Sequence, residues 1–182
     1  SIIIKIFVPN LVTGLGAGLT IPFVNLYFKN ALHATTRSIG IYYSVAQALM
    51  ITGVLVAPVV AGRIGKIRTV VYSQLLSIPF LAILGFTRNL YIAVPAFLIR
   101  AALMNMAQPL FTNYAMERVK REEQALTNAL LVIAWTAGWG LSASIGGLLI
   151  EHFSYTMPFL ATSFIYLVSS ILLFSFFRTD DR

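Results

Sequence analysis

Arg100 stands apart by its chemistry. It is a cation about ten residues into the apolar run Leu90–Met116, followed on the same helical stretch by Asn105, Gln108 and Thr112. On an α-helix these three lie about 140°, 80° and 120° round from Arg100, one broad polar sector with the Arg at its margin. A guanidinium among amides can hold an anionic or hydrogen-bonding solute, and the same groups can tie helices together. An acid elsewhere, a backbone carbonyl or an anionic substrate group could each partner Arg100. Asn10 and Asn25 in the run Ile6–Phe28, and Gln47 one turn from Tyr43 in Ile39–Ala61, are further polar groups set among apolar residues. Trp135, Trp139, Ser142 and Gly146 recur every three or four residues in Ala125–Ile150, so they share a helical face. Indoles at that depth can stack on an aromatic or cationic substrate, or simply pack between helices.

The acids and histidines are conspicuously elsewhere. Glu117, Glu122, Glu123, Glu151, His33 and His152 flank the apolar runs or lie between them, and the chain has no Cys. A thiolate metal site is excluded, and no cofactor is expected. Gly140-Leu141-Ser142-Ala143 has the flavour of an intramembrane serine protease, a remote alternative. That chemistry needs a His at the depth of the Ser. The nearest in sequence, His152, is ten residues on, about 15 Å of helix away.

These residues must be positioned by elements solvated by lipid. Of the 182 residues, 58% are hydrophobic and 10% charged, with a mean hydropathy of +0.84. A water-soluble domain carries about 25% charged residues. A spanning helix takes about 20 mostly apolar residues, and the sequence has six such runs: Ile6–Phe28, Ile39–Ala61, Val70–Phe86, Leu90–Met116, Ala125–Ile150 and Met157–Phe177. The expected fold is an all-α membrane protein, one six-helix bundle over residues 1–182. Long alternating segments of the kind that build outer-membrane barrels are lacking.

The net charge of +7 resolves into topology. Lys5, Arg63, Lys66, Arg68, Arg118, Lys120, Arg121, Arg178 and Arg182 fall on one side of the membrane; Lys29, Arg37 and Arg88 fall on the other. Such an excess of cations marks the cytoplasmic face, so both termini are expected there. The positive charge then needs no nucleic acid to explain it. The chain begins with Ser1, which suggests a piece of something longer.

The chain also repeats itself. Pro22 and Pro109, Tyr27 and Tyr114, Gly53 and Gly140, and Ala57 and Ser144 are each 87 residues apart. A unit with an odd number of helices returns inverted in the membrane, so residues of about 6–86 and 90–177 would form an inverted three-plus-three pair.

With the repeat in view, the chain resembles one six-helix half of a major facilitator superfamily transporter. Its second loop, Gly62-Arg63-Ile64-Gly65-Lys66, is similar to the family's D-R-x-G-R/K loop motif, with Gly62 where the family has Asp. Arg100 stands where the family often has an Arg in the fourth helix of a half. In the fifth helix, Gly138 and Ser142-Ala143-Ser144-Ile145-Gly146-Gly147 are similar to the antiporter pattern G-x-x-x-G-P-x-x-G-G, with Ser142-Ala143 replacing Gly-Pro. The worn motifs favour the C-terminal half. The resemblance implies transport of a small organic molecule, by efflux, in a bacterial plasma (inner) membrane, with no enzymatic activity and a partner half absent from this sequence. It also implies alternating access around a midplane cavity lined by the first and fourth helices, with contributions from the second and fifth. The third and sixth would face lipid or support the others. On that reading Arg100, Asn105, Gln108, Asn10, Asn25, Gln47, Trp135 and Trp139 bind substrate, while Arg63, Gly65, Lys66 and Glu117 form a gating loop. Prolines 22 and 109 would kink the first and fourth helices. A six-helix structural or interaction subunit is the alternative.

Overall fold

The computed structural model describes residues 2–177; the tail cations Arg178 and Arg182 lie outside the described residues. Six helices long and apolar enough to cross a membrane follow one another: α1 Ile2–Ala31, α2 Thr36–Ile64, α3 Lys66–Phe86, α4 Leu90–Glu117, α5 Arg121–His152 and α6 Thr156–Phe177. Among the described residues there is no strand. Most of the helices outrun the apolar segments that announce them. Backbone hydrogen bonding carries on into polar flanks, where caps then stop it. The Thr35 hydroxyl accepts the Ser38 amide at 3.2 Å to start α2, and the Asn89 side chain accepts the Tyr91 amide at 2.9 Å to start α4. Between α2 and α3 the connection is Gly65 alone, with φ 95° and ψ 154°. That backbone region is essentially open only to glycine.

The two repeated prolines act differently. From Ile21, α1 leaves ideal geometry: a 3-10 turn over Ile21–Phe23 containing Pro22, one α turn over Val24–Leu26, then a π turn over Tyr27–Ala31. Pro22 has no amide hydrogen to give the preceding turn, which favours such a change of winding. By contrast, α4 runs as one α-helix through Pro95 and Pro109.

Helix α1 packs chiefly against α5 and α6, α4 chiefly against α2 and α3, and α3 against α6. The α1–α5 seam is built from small residues. A Cβ added to Gly14 would come within 2.7 Å of the Trp135 carbonyl oxygen, and one added to Gly138 within 2.6 Å of the Leu11 carbonyl oxygen. Gly146 likewise admits the Leu19 backbone. Without a hydrophobic driving force between helices in lipid, close backbone approach of this kind supplies the dispersion contact that holds them. The offset that pairs Gly53 with Gly140 does not carry over to packing. A Cβ on Gly53 would meet Met106 and the Ala102 carbonyl of α4, whereas Gly140 has open space around it.

Where α1, α3 and α6 meet, the contact is polar. Thr13 and Ser169 share a hydrogen bond of 2.7 Å, Ser169 also donates to the Pro9 carbonyl at 3.1 Å, and the Gln74 amide donates to Thr13 at 3.2 Å. Thr162 donates to the Gly16 carbonyl at 2.8 Å. The expectation that α3 and α6 only face lipid or brace the others is thereby refined. Each buries a hydroxyl-bearing stripe, Thr69, Ser73 and Ser77 with the amide of Gln74 on α3, and Thr162, Ser163, Ser169 and Ser170 on α6. Their outer faces carry exposed Tyr72, Leu76, Phe164 and Ile171. Apolar clusters close both ends, one around Tyr27, Phe28, Phe97 and Phe159, the other around Ile6, Ile67, Phe111, Tyr114 and Phe177. Helix α2 is the least enclosed: 17% of its most apolar stretch is buried against 50% for α3, because it leans on α4 almost alone.

Candidate functional site

Arg100 lies on the inner face of α4 and is 6% exposed. One of its terminal nitrogens donates to the hydroxyl of Tyr166 on α6 at 3.1 Å, while its buried Nε has no hydrogen-bond partner. Tyr166 is itself fully buried. The sequence reading missed this partner. A tyrosine in the middle of a spanning helix, far from the interfacial belt where the residue is usual, was the available clue.

Two cavities adjoin the guanidinium. The larger, about 260 Å³, is lined by Ile21, Arg100, Met104, Asn105, Gln108, Trp135 and Tyr166. The second, about 180 Å³, has Tyr43, Gln47, Met50 and Phe97 on its wall and shares Ile21, Arg100 and Asn105 with the first. Asn105 spends its amide on the Ala101 carbonyl at 2.8 Å. Ile21, common to both walls, is the residue at which α1 changes winding. A third space of about 30 Å³ lies among Asn10, Thr13, Gln74, Met104 and Gln108. That is room for about one water among several polar partners. Gln108 and Met104 border both this space and the larger cavity.

The expected site residues therefore divide. Arg100, Asn105, Gln108 and Trp135 come together around one cavity, and Gln47 borders the adjoining one. Asn10 sits apart, on the small polar space, its amide donating to the Leu131 carbonyl at 2.7 Å. Asn25 is exposed beyond the change in winding and lines none of these three cavities. Neither does Trp139, whose carbonyl lies against Gly18 in the α1–α5 seam. The shared face of Trp135 and Trp139 is thus split between cavity and packing. Ser142 belongs to the same seam. Its hydroxyl donates to the Gly138 carbonyl at 2.8 Å and lies against Gly18.

At the end of the bundle where α2 meets α3, the loop residues meet the end of α4. Lys66 Nζ and Glu117 Oε1 form an ion pair of 2.5 Å, with side chains 35% and 59% exposed. Gly65 makes the chain reversal that brings Lys66 there, and Arg63 is exposed on the last turn of α2. Nearby, the Arg118 guanidinium lies over the Tyr114 ring at 5.0 Å.

A six-helix membrane bundle with a buried cation on a partly open cavity has the construction of a solute carrier. A comparison with curated proteins finds no match. The model of the Major Facilitator Superfamily matches residues 6–182. Membrane helices, the cavity and that match agree: the chain belongs to the Major Facilitator Superfamily, a family of transporters.

Proposed function

We propose that this chain moves a small organic molecule across a bacterial plasma membrane by alternating access, in the export direction, and is not an enzyme. The observation that carries the reading is the pair of partly open cavities flanking the buried Arg100, with exposed Ile21, Tyr43, Gln47 and Gln108 on their walls, in a bundle of membrane helices. Arg100, Asn105, Gln108 and Trp135 contact substrate, and Gln47 extends the site. Asn10 supports it through the small polar space, while Trp139 and Asn25 are peripheral. Ile21, where α1 unwinds, is the point at which helix movement reaches the cavity wall.

The bundle functions as the C-terminal half of a twelve-helix transporter, its other half supplied by a second six-helix block. The two triplets are inverted copies. Helix α1 packs on α5 and α6 as α4 packs on α2 and α3, an exchange expected of a two-fold pair. Tyr27 packs on Phe159 near the start of α6 and Tyr114 on Phe177 at its end, so the two tyrosines sit at opposite ends of the bundle. The excess of Lys and Arg at the α2–α3 and α4–α5 connections supports a cytoplasmic placement for that end and for both termini. There Gly65, Arg63, Lys66 and Glu117 act as a latch that opens when the halves rock.

The test is accumulation in an efflux-deficient bacterium carrying the full open reading frame, using radiolabelled neutral, anionic and cationic organic compounds. At least one compound is expected to accumulate less when the protein is present, and Arg100→Ala at equal membrane abundance is expected to abolish the difference. Unchanged accumulation of every compound sinks the transport reading. Full activity of Arg100→Ala removes that residue from the mechanism.

A further inference from the structure

We infer that the cavity beside Arg100 takes a small planar organic anion, its carboxylate seated on the guanidinium and its ring lying along Trp135. The inference rests on the proposed reading of this cavity as the substrate site and names the substrate's chemistry.

A guanidinium cannot shed its charge in a protein. Arg100 therefore remains a cation while 6% exposed, and the hydrogen bond it makes goes to the neutral hydroxyl of Tyr166. Its Nε has no acceptor. The residues around it offer amides, the hydroxyls of Tyr166 and Tyr43, thioethers and rings, and no carboxylate. Among the described residues the acids are Glu117, Glu122, Glu123 and Glu151, all at helix ends or in the α4–α5 connection. A buried cation without a counter-charge is the costly arrangement in a low-dielectric interior. No carboxylate among the described residues of this bundle relieves it, so an anion from outside the bundle does, and the spaces that Arg100 borders admit one. A carboxylate does so with geometry, because its two oxygens match the planar donor fork.

The remainder of the site sets the rest of the ligand. Trp135 borders the larger cavity with Met104 and Ile21, and an indole there suits stacking of a flat ring. Gln108 and Asn105 supply polar atoms for a substituent. A space of about 260 Å³ suits a single substituted ring, and the adjoining 180 Å³ extends it past Arg100 toward Gln47. A cationic amphiphile would bring like charge to Arg100 and is disfavoured.

The experiment is equilibrium dialysis of radiolabelled benzoate against the full-length chain in lipid nanodiscs, with benzamide and benzylammonium as competitors of matched shape. Saturable benzoate binding is expected, with benzamide weaker by roughly tenfold to a hundredfold, the worth of a charge-assisted hydrogen bond. Arg100→Gln should lose that discrimination, and Arg100→Lys should retain part of it. Trp135→Ala should weaken benzoate and benzamide alike. Should Arg100→Gln fail to give the wild-type unfolding transition, the comparison of benzoate with benzamide on the unaltered chain still decides. Equal binding of benzoate and benzamide, or undiminished benzoate binding by a folded Arg100→Gln, overturns the inference. Preferential binding of benzamide or benzylammonium at a site weakened by Trp135→Ala overturns the anion assignment and leaves the cavity as a substrate site. Binding of none of the three at millimolar concentration overturns the inference, while the accumulation assay judges the transport reading independently.

Discussion

Two glycines two residues apart on α5 should respond to the same substitution with opposite sign. A Cβ at Gly138 would lie 2.6 Å from the Leu11 carbonyl oxygen, 2.9 Å from the Leu15 nitrogen and 3.1 Å from the Gly14 carbonyl carbon. All are backbone atoms of α1, so no rotamer change can make room. Ordinary contact begins at 3.4 Å, so α1 must withdraw by about 0.8 Å at that point (3.4 less 2.6). The displacement is shared along the seam, since Cβ atoms at Gly14, Gly18 and Gly146 would lie within 2.7 Å of the facing backbone oxygens of Trp135, Trp139 and Leu19. Overpacking of this kind costs about 1–3 kcal/mol. At Gly140 the added methyl meets nothing within 4 Å, so only the intrinsic helix preference of Ala over Gly remains, a gain of up to about 1 kcal/mol. That gain is common to both sites and cancels in the comparison. The stability of Gly140→Ala minus that of Gly138→Ala is therefore expected to be about 1–3 kcal/mol, the overpacking alone. Reversible unfolding in mixed micelles, followed by far-ultraviolet circular dichroism, measures it. A gap below about 0.5 kcal/mol, well under the overpacking range, would refute the claim that α1 and α5 are held in backbone contact through Gly138.

Gly65→Ala should destabilise the fold by about 1–3 kcal/mol, because φ 95° with ψ 154° is a glycine-only conformation; an unfolding midpoint equal to wild type would count against it. Tyr166→Phe removes the hydroxyl that receives the Arg100 proton and should cost about 1.5–3 kcal/mol of stability, with Arg100→Gln in the same background costing less than in wild type; additive losses in a double-mutant cycle would argue against a direct bond. Lys66→Ala and Glu117→Ala should each change stability by less than about 1 kcal/mol, since the pair is largely solvent-exposed. If the pair is a latch, those variants should instead alter transport rate, and the charge-swapped double variant should restore it; equal rates in all three would leave the contact structural only. Thr35→Ala should cost about 1 kcal/mol through the lost cap on α2, seen as faster amide exchange at Ser38.

The six spans were legible because the length of an apolar run is a local property that the bilayer reads directly. Arg100 was legible as a buried cation for the same reason, being charged amid such a run. Its partner was not, because Tyr166 is 66 residues away and only the packing of α6 beside α4 brings the two together. The helical wheel grouped Arg100 with Asn105, Gln108 and Thr112; the first two line the larger cavity with it along a helix that keeps α geometry, while Thr112 lines none of the three cavities. The polar residues of α1 divided otherwise. Asn10 falls on regular helix and turns inward, whereas Asn25 lies beyond the 3-10 turn, where a constant 100° per residue no longer applies.

The sequence by itself determined that this chain lives in a membrane, how many times it can cross, and that it carries one deep cation without a deep acid. Residue type and run length suffice for those, because transfer into lipid acts on each segment separately. Tertiary structure alone decided which of two tryptophans on one face meets a cavity, and which of two nearby glycines meets a backbone. Within the gating group that the family resemblance implied, it set the ammonium of Lys66 against Glu117. Those outcomes depend on where a second helix lies to within an ångström, and no periodicity within one helix encodes that.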